Sequence, residues 1–387
     1  MIVRPYGVVM DGRLEFGWEL IIESGVIREV RPHTGIPENY VVSPAFVNAH
    51  SHLEYRGMQG KLQSTNYWDW IREITELKKT ESDVRVRQEC IAAAHENKKS
   101  GVGVLAEHSD RPFAATAILS ASEEAVIFQE TITFFERESA KEKLRQIRLK
   151  AMEQAKVLRK PVFLTPHAYH TVDRQTLADF GASNEPISIH VAETPHETEL
   201  TERGDGPIAD FYRRFAYEVE PTGKTIVPTL NDLGLVRPGA QFVHCCAISD
   251  SDIGLLAEKQ VSVAHCPRSN TRLNCPTAPV REMLSAGVKV GLGLDSPASS
   301  GQIDMFSEMR EALRVSCDRG QPLTPEEVWS MATNKGAESL SFCTLSLPKW
   351  RIEPGSAVPL IKIQTPGATS TEDLLMNASP AKVSWVH

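Results

Sequence analysis

Two histidines one residue apart, His50 and His52, end an apolar run that includes Val41, Val42, Phe46 and Val47. If that run is a strand, its side-chain period of two puts both imidazoles on one face. Two neutral imidazoles aimed into one space are half of a metal site. The alternative is a strand-end pair satisfied by neighbouring carbonyls. Further on, groups that titrate or coordinate recur at the ends of other short apolar runs: His108, His167, His190 with Glu193, His244, His265 and Asp295. Convergent titratable groups of this kind mark sites. Two other chemistries drop out. No Gly-x-Gly-x-x-Gly or Gly-x-x-x-x-Gly-Lys occurs, which removes the usual nucleotide-phosphate loops. No Pro-Cys-x-x-Cys occurs either, which removes the small zinc site of cytidine deaminases.

The elements that must carry these residues alternate regularly. Apolar runs at Phe46–Val47, 102–106, 126–128, 162–164, 187–193, 242–244, 261–265 and 288–294 read as eight strands. Helical spacing fills the intervals, over 67–79, 83–99, 140–158, 197–203 and 253–258, and again over 305–315 and 325–340 after the last strand. Eight strands alternating with helices over some 300 residues predict an α/β chain, a (β/α)8 TIM barrel. The polar residues fall at C-terminal strand ends, the catalytic rim of a barrel, whereas the rival, an open doubly wound sheet, would carry a glycine-rich phosphate loop after its first strand. Residues 1–43 alternate β-like runs with turn signals, and β-like runs return after Lys349. The expected organisation is a barrel over 44–345 and a small β-sandwich built from 1–43 and 346–387.

Composition narrows the partners. The net charge of −8 and the lack of any dense Lys/Arg run argue against nucleic acid and anionic membrane. No window reaches the ~20 apolar residues of a membrane span, and the N-terminus has no leader pattern. The reading is a soluble cytoplasmic protein acting on a small molecule, with a homodimer compatible. Seven cysteines without a Cys-x-x-Cys suggest reduced, mostly buried thiols.

Taken in order, the segments Pro44 to His52, His190-Val191-Ala192-Glu193, Val243-His244-Cys245, His265-Cys266-Pro267-Arg268-Ser269-Asn270 and Gly293-Leu294-Asp295-Ser296 resemble the amidohydrolase superfamily. The resemblance spans nearly the whole chain. It is to the mononuclear branch of adenosine-type, guanine and cytosine deaminases and triazine hydrolases. It implies that His50, His52, His190 and Asp295 bind one divalent metal, zinc first and iron second, while Glu193 and His244 move protons and Asp295 also takes part in catalysis. The chemistry needs that inventory. Three neutral imidazoles and one carboxylate leave an open position where a bound water has its pKa lowered to about 7. Glu193 would carry a proton to a ring nitrogen, and His244 would polarise the oxygen arriving at the reacting carbon. Binuclear relatives carry a bridging lysine at the end of the fourth strand, where this chain reads Leu164-Thr165-Pro166-His167, so one metal is expected. Cys245, Cys246 and Cys266 then read as small buried fillers.

Within the branch, His52-Leu53-Glu54, Glu193 to Pro207 and Cys266 to Asn270 look most like the aminodeoxyfutalosine deaminases. That implies hydrolytic deamination of 6-amino-6-deoxyfutalosine, an intermediate of menaquinone synthesis, or of another 5′-modified adenosine, with release of ammonia by metal-bound hydroxide. Substrate contacts are expected from Glu54, His167, Arg268, Ser269 and Asn270, with Arg268 clamping a carboxylate at the substrate's far end. Leu294 in place of a usual Thr, and Tyr169-His170 in place of a usual Pro-Tyr, bear on specificity. Ala357-Val358-Pro359 in place of Ala-Asp-Leu touches only the small β domain. The alternatives are hydrolysis of a guanine- or triazine-type heterocycle by the same residues, and a non-catalytic barrel scaffold.

Overall fold

A computed structural model describes residues 1–134, 139–343, 347 and 349–386. Eight apolar runs become parallel strands: Phe46–Ser51, Val102–Ser109, Glu124–Thr131, Val162–Pro166, Ile187–Val191, Ala240–His244, Ser262–His265 and Val290–Leu292. The first four pair side by side in chain order, and so do the last four. Two seams close the ring. Ser51 bridges to Asp295 between the eighth and first strands, and Ala168 bridges to His190 between the fourth and fifth. The (β/α)8 barrel is therefore as expected. Every residue of Val102–Ser109 is buried, because helices cover the outside while side chains fill the inside.

Helix starts follow local chemistry. The Asn66 side chain accepts from the amides of Trp68 and Asp69 at the head of Tyr67–Thr80. Ser82 accepts from Arg85 at the head of Asp83–Lys99. Both satisfy amides that a first helical turn leaves unpaired. One expectation is corrected: 325–340 is not one helix but two, Pro325–Met331 and Asn334–Ser339. The break is at Thr333 (φ −131°, ψ −105°), whose hydroxyl donates to the Trp329 carbonyl at 2.8 Å. The second helix then lies so close to the first barrel strand that a Cβ on Gly336 would stand 3.1 Å from that of Val47.

Both chain ends build the small β domain. One sheet holds Ile2–Val3, Trp18–Glu23 and Val26–Pro32. The other runs in the order Val383–Trp385, Leu360–Ile363, Glu38–Pro44, Pro5–Met10, Arg13–Phe16. The expected end of the barrel domain, at 345 and 346, lies outside the described residues. Among those described, no helix is long and apolar enough to cross a membrane.

The small domain matters to the site because its strand Glu38–Pro44 runs through Ala45 directly into the first barrel strand. The Ala45 amide donates to the Pro359 carbonyl at 2.8 Å. The buried Trp350 donates its indole N–H to the Ala45 carbonyl at 2.7 Å. The C-terminal segment thus clamps the residue just before the His-x-His strand. Trp350→Ala should lower the unfolding free energy by about 3–5 kcal/mol, the usual cost of removing a buried Trp, as read from denaturant unfolding. A change below ~1 kcal/mol would show that the clamp holds nothing.

Candidate active site

The seam between the eighth and first strands brings together what sequence keeps 245 positions apart. The Asp295 amide donates to the His50 carbonyl at 3.0 Å, and the His52 amide donates to the Asp295 carbonyl at 3.1 Å. With the backbones locked this way, Asp295 Oδ1 lies 3.6 Å from His50 Nε2 and 3.8 Å from His52 Nε2. The second seam supplies His190, whose amide and Nδ1 both donate to the His167 carbonyl, at 3.0 and 2.8 Å. The His50 and His190 rings are 4.9 Å apart.

The donor atoms suit a cation. His50, His52 and Asp295 form one close group, and His50, His190 and His244 form a second that shares His50. His52 Nδ1 donates to the His108 carbonyl at 3.2 Å. Like His190, it therefore keeps Nε2 free, as metal-ligating histidines do when their other nitrogen is tied to a carbonyl. Neither ring nitrogen of His50 has a hydrogen-bond partner among the described residues, although the side chain is fully buried. A buried imidazole without partners is costly, and a cation would take up one of the two nitrogens. Burial, and the other imidazoles after it, hold His50 and His52 well below the usual histidine range, and His190 at about 4. Burial alone would raise Asp295, but His52 and His244 beside it, the Ser269 hydroxyl and His190 hold it below the usual carboxylate range. Neutral imidazoles and an ionised carboxylate are the protonation states that coordination requires.

Two further groups face the cluster. Glu193 is buried, and His244 Nε2 lies 3.6 Å from its Oε2. Burial, reinforced by the charge of Asp295, pushes the Glu193 carboxyl well above its usual range, against the pull of Tyr67. The fifth strand stops at Val191 and the eighth at Leu292, short of the expected 193 and 294, so Glu193 and Asp295 stand just past their strands. The segments at these strand ends are strained. Ala192, His244, Cys245 and Asp295 all have φ between 50° and 74°, a region non-glycine residues rarely occupy and which concentrates at functional sites. The Glu197 carboxylate supports one of them by accepting from the Glu193 amide at 2.9 Å.

Above the cluster opens a cavity of about 500 Å³ reached by His52, His167, His190, Glu193, His244 and Asp295. It is also lined by Tyr67, Trp68, Trp70, Ile71 and Ile74 of the helix Tyr67–Thr80, and by Phe211 and Tyr212. The substrate contacts expected from sequence divide. His167 lines the cavity, with its Nδ1 3.0 Å from the Thr171 hydroxyl. Arg268, Ser269, Asn270 and Glu54 do not line it. Arg268 Nη1 donates to the Gln302 carbonyl at 2.8 Å, and Arg268 opens on a separate surface cleft. The Glu54 carboxylate accepts from the amides of Asp110 and Arg111, at 3.4 and 3.1 Å, and so holds the turn after the second strand. Ser269 is buried beside Asp295. Asn270 accepts at Oδ1 from His244 Nδ1 at 2.8 Å.

His108 and His265 are buried outside the cavity lining; the His108 ring lies 4.2 Å from that of His50. The helix-borne aromatic wall was not read from sequence, where Tyr67–Thr80 showed only helical spacing. Its signal was partial: Tyr67, Trp70, Ile71 and Ile74 recur at the spacing of one apolar stripe, and only Trp68, an extra large aromatic off that stripe, marks the helix as more than an ordinary packed one. Glu130 was also missed. Its Oε1 is 4.0 Å from His190 Nδ1, and it forms a third close group with His52 and His190. The thiols of Cys245, Cys246 and Cys266 are held protonated by burial.

Residues 41–345 match the model of the amidohydrolase family. A 5′-deoxyadenosine deaminase of Methanococcoides burtonii is 31% identical over 369 residues, covering 88% of this chain and 80% of the relative. A 5-methylthioadenosine/S-adenosylhomocysteine deaminase of Haloarcula marismortui is 29% identical over 359 residues, covering 88% and 77%. Among solved structures, the Helicobacter pylori aminofutalosine deaminase in complex with methylthio-coformycin superimposes with a TM-score of 0.81 at 19% identity, covering 99% of each chain. That similarity is one of fold. With the family model spanning the barrel and the relatives spanning most of the chain, the protein belongs to the amidohydrolase family, as an enzyme of its deaminase branch acting on carbon–nitrogen bonds of cyclic amidines.

Proposed function

We propose that the protein is a divalent-metal-dependent deaminase of adenine-type nucleosides that releases ammonia from C6 of a 5′-substituted adenosine. The observation that carries this reading is the meeting of His50, His52, His190 and Asp295 with Glu193 and His244 at the foot of one cavity. When bound, a divalent cation supplies Lewis acidity and a water acidified enough to attack at neutral pH. The protein's own groups do the rest. Glu193, its proton retained by burial, delivers that proton to a ring nitrogen and so makes the adjacent carbon electrophilic. Asp295, ionised and beside the attacking side, takes a proton from the attacking water and passes it to the departing amine, so that the C–N bond breaks with release of ammonia. His244 hydrogen-bonds the attacking water and aims its oxygen at that carbon. The aromatic wall from Tyr67 to Ile74 stacks a flat heterocycle and keeps bulk water out, which strengthens each of these interactions.

The two sequence relatives are named for 5-methylthioadenosine, S-adenosylhomocysteine and 5′-deoxyadenosine, which supports a 5′-modified adenosine as the substrate class. 6-Amino-6-deoxyfutalosine, and with it a place in menaquinone synthesis, is one member of that class. Arg268 gives it no support, since its guanidinium is engaged outside the cavity.

Ammonia release separates the readings. Adenine nucleosides with varied 5′ substituents should react with kcat/KM in the ordinary enzyme range of about 10⁴–10⁸ M⁻¹s⁻¹, while guanine and triazines should not. Ammonia from guanine alone would replace the proposal with the purine-base reading. Elemental analysis should find one divalent metal per chain, and the double substitution His50→Ala with His52→Ala should abolish it. Two equivalents, or full retention in the double variant, would remove this ligand assignment. Glu193→Gln should keep metal and fold yet lose on the order of 10²–10⁴ in turnover, because an isosteric amide cannot carry the proton. Turnover equal to the parent's would place the acid elsewhere.

A further inference from the structure

Asn270 follows the seventh strand in a segment expected to meet substrate, yet it is buried and absent from the cavity lining. Its Oδ1 instead accepts from His244 Nδ1 at 2.8 Å, a contact buried on both sides. Its backbone is fixed as well: the Asn270 amide donates to the Cys266 carbonyl at 3.1 Å, and its carbonyl accepts from the Cys275 amide at 2.9 Å. The imidazole it meets sits on a residue with a strained backbone, φ 74°, and is itself buried. A neutral imidazole carries one N–H. An amide oxygen at Nδ1 settles where that proton is.

We infer that Asn270 is a positioning residue that fixes His244 in the tautomer protonated at Nδ1, so that the ring enters the reaction as a hydrogen-bond acceptor at Nε2. The inference rests on the deaminase reading for its consequence, not for its geometry. Nε2 faces the Glu193 carboxyl, with 3.6 Å to Oε2. A lone pair there can accept from an attacking water and hold it in line with the reacting ring, leaving the Glu193 proton free for the ring nitrogen. The tautomer protonated at Nε2 would do the opposite and donate, which is the role expected of His244 from sequence. Asn270 decides between them without touching substrate. The orienting bond to a histidine's far nitrogen is how such rings are commonly given a role.

The test reads the tautomer directly. Protein labelled with ¹⁵N-histidine, metal-free and zinc-loaded, is examined through two-bond ¹H–¹⁵N couplings, and His244 is assigned by the signal lost in His244→Gln. The parent should show the Nδ1–H form in both states. Asn270→Leu should lose that preference, with kcat falling on the order of 10²-fold and KM moving less than about threefold. Asn270→Asp, which keeps an acceptor oxygen, should recover the tautomer and most of kcat. An Nε2–H form in the parent would overturn the inference, and that measurement stands even if Asn270→Leu does not fold. An unchanged tautomer in Asn270→Leu would overturn it too, and so would a loss confined to KM, which would make Asn270 a substrate contact. If the parent holds the Nδ1–H form but no adenine nucleoside releases ammonia, the substrate reading falls and the positioning role stands.

Discussion

The structure depends on one pair of main-chain hydrogen bonds, between Asp295 and the residues either side of Ser51. These bonds join the last barrel strand to the first, and in doing so they set the carboxylate of one strand against the imidazoles of the other. A barrel must close its sheet with a fixed stagger, so the register that satisfies the backbone also fixes the donor cluster. The cost is visible in the sequence. A Cβ on Gly293 would meet His50 Cβ at 2.8 Å and Cys266 Sγ at 2.9 Å, so only glycine lets the two strands approach there. Asp295 itself accepts a left-handed backbone, φ 52°.

Burial supplies the chemistry that geometry alone would not. In water an isolated histidine titrates near neutrality and a glutamate is ionised. Here one low-dielectric floor keeps His50, His52 and His190 neutral and Glu193 protonated. Desolvation disfavours the charged form in both cases. Asp295 is the exception, because imidazoles and Ser269 surround it. The result is a floor with one ionised carboxylate, one retained proton and several lone pairs. Such a floor stores unfavourable energy, since the ring nitrogens of His50, His108 and His265 lack partners among the described residues. The rest of the barrel core compensates for it.

Floor and wall come from different parts of the fold. The floor is made of strand ends, held by the hydrogen-bonded sheet. The wall is made of Tyr67–Thr80 and of Phe211 and Tyr212, which lie on helices inserted between strands. Strand ends are constrained by closure, while inserted helices can change without disturbing it. The wall can therefore be altered without disturbing the floor.

Sequence by itself determined the alternation, and with it the barrel. Eight apolar runs of strand length, all but the third ending in a residue singled out because it coordinates or titrates, leave few other folds, because period and polarity are local properties of the chain. It also placed His50, His52, His190, Glu193, His244 and Asp295 at strand ends. The path of the C-terminal runs back to the N-terminal sheet was legible for the same reason: unpaired β-like segments must find an edge. Tertiary structure alone decided what each side chain touches. Glu54, Arg268 and Asn270 have the residue types of substrate contacts, yet they serve the turn at Asp110, the Gln302 carbonyl and His244 Nδ1. The aromatic wall and Glu130 needed the fold as well, because helix azimuth and the neighbour across a barrel are set by packing between elements far apart in sequence. Spacing along a chain names the candidates; the direction of a side chain comes from everything packed around it.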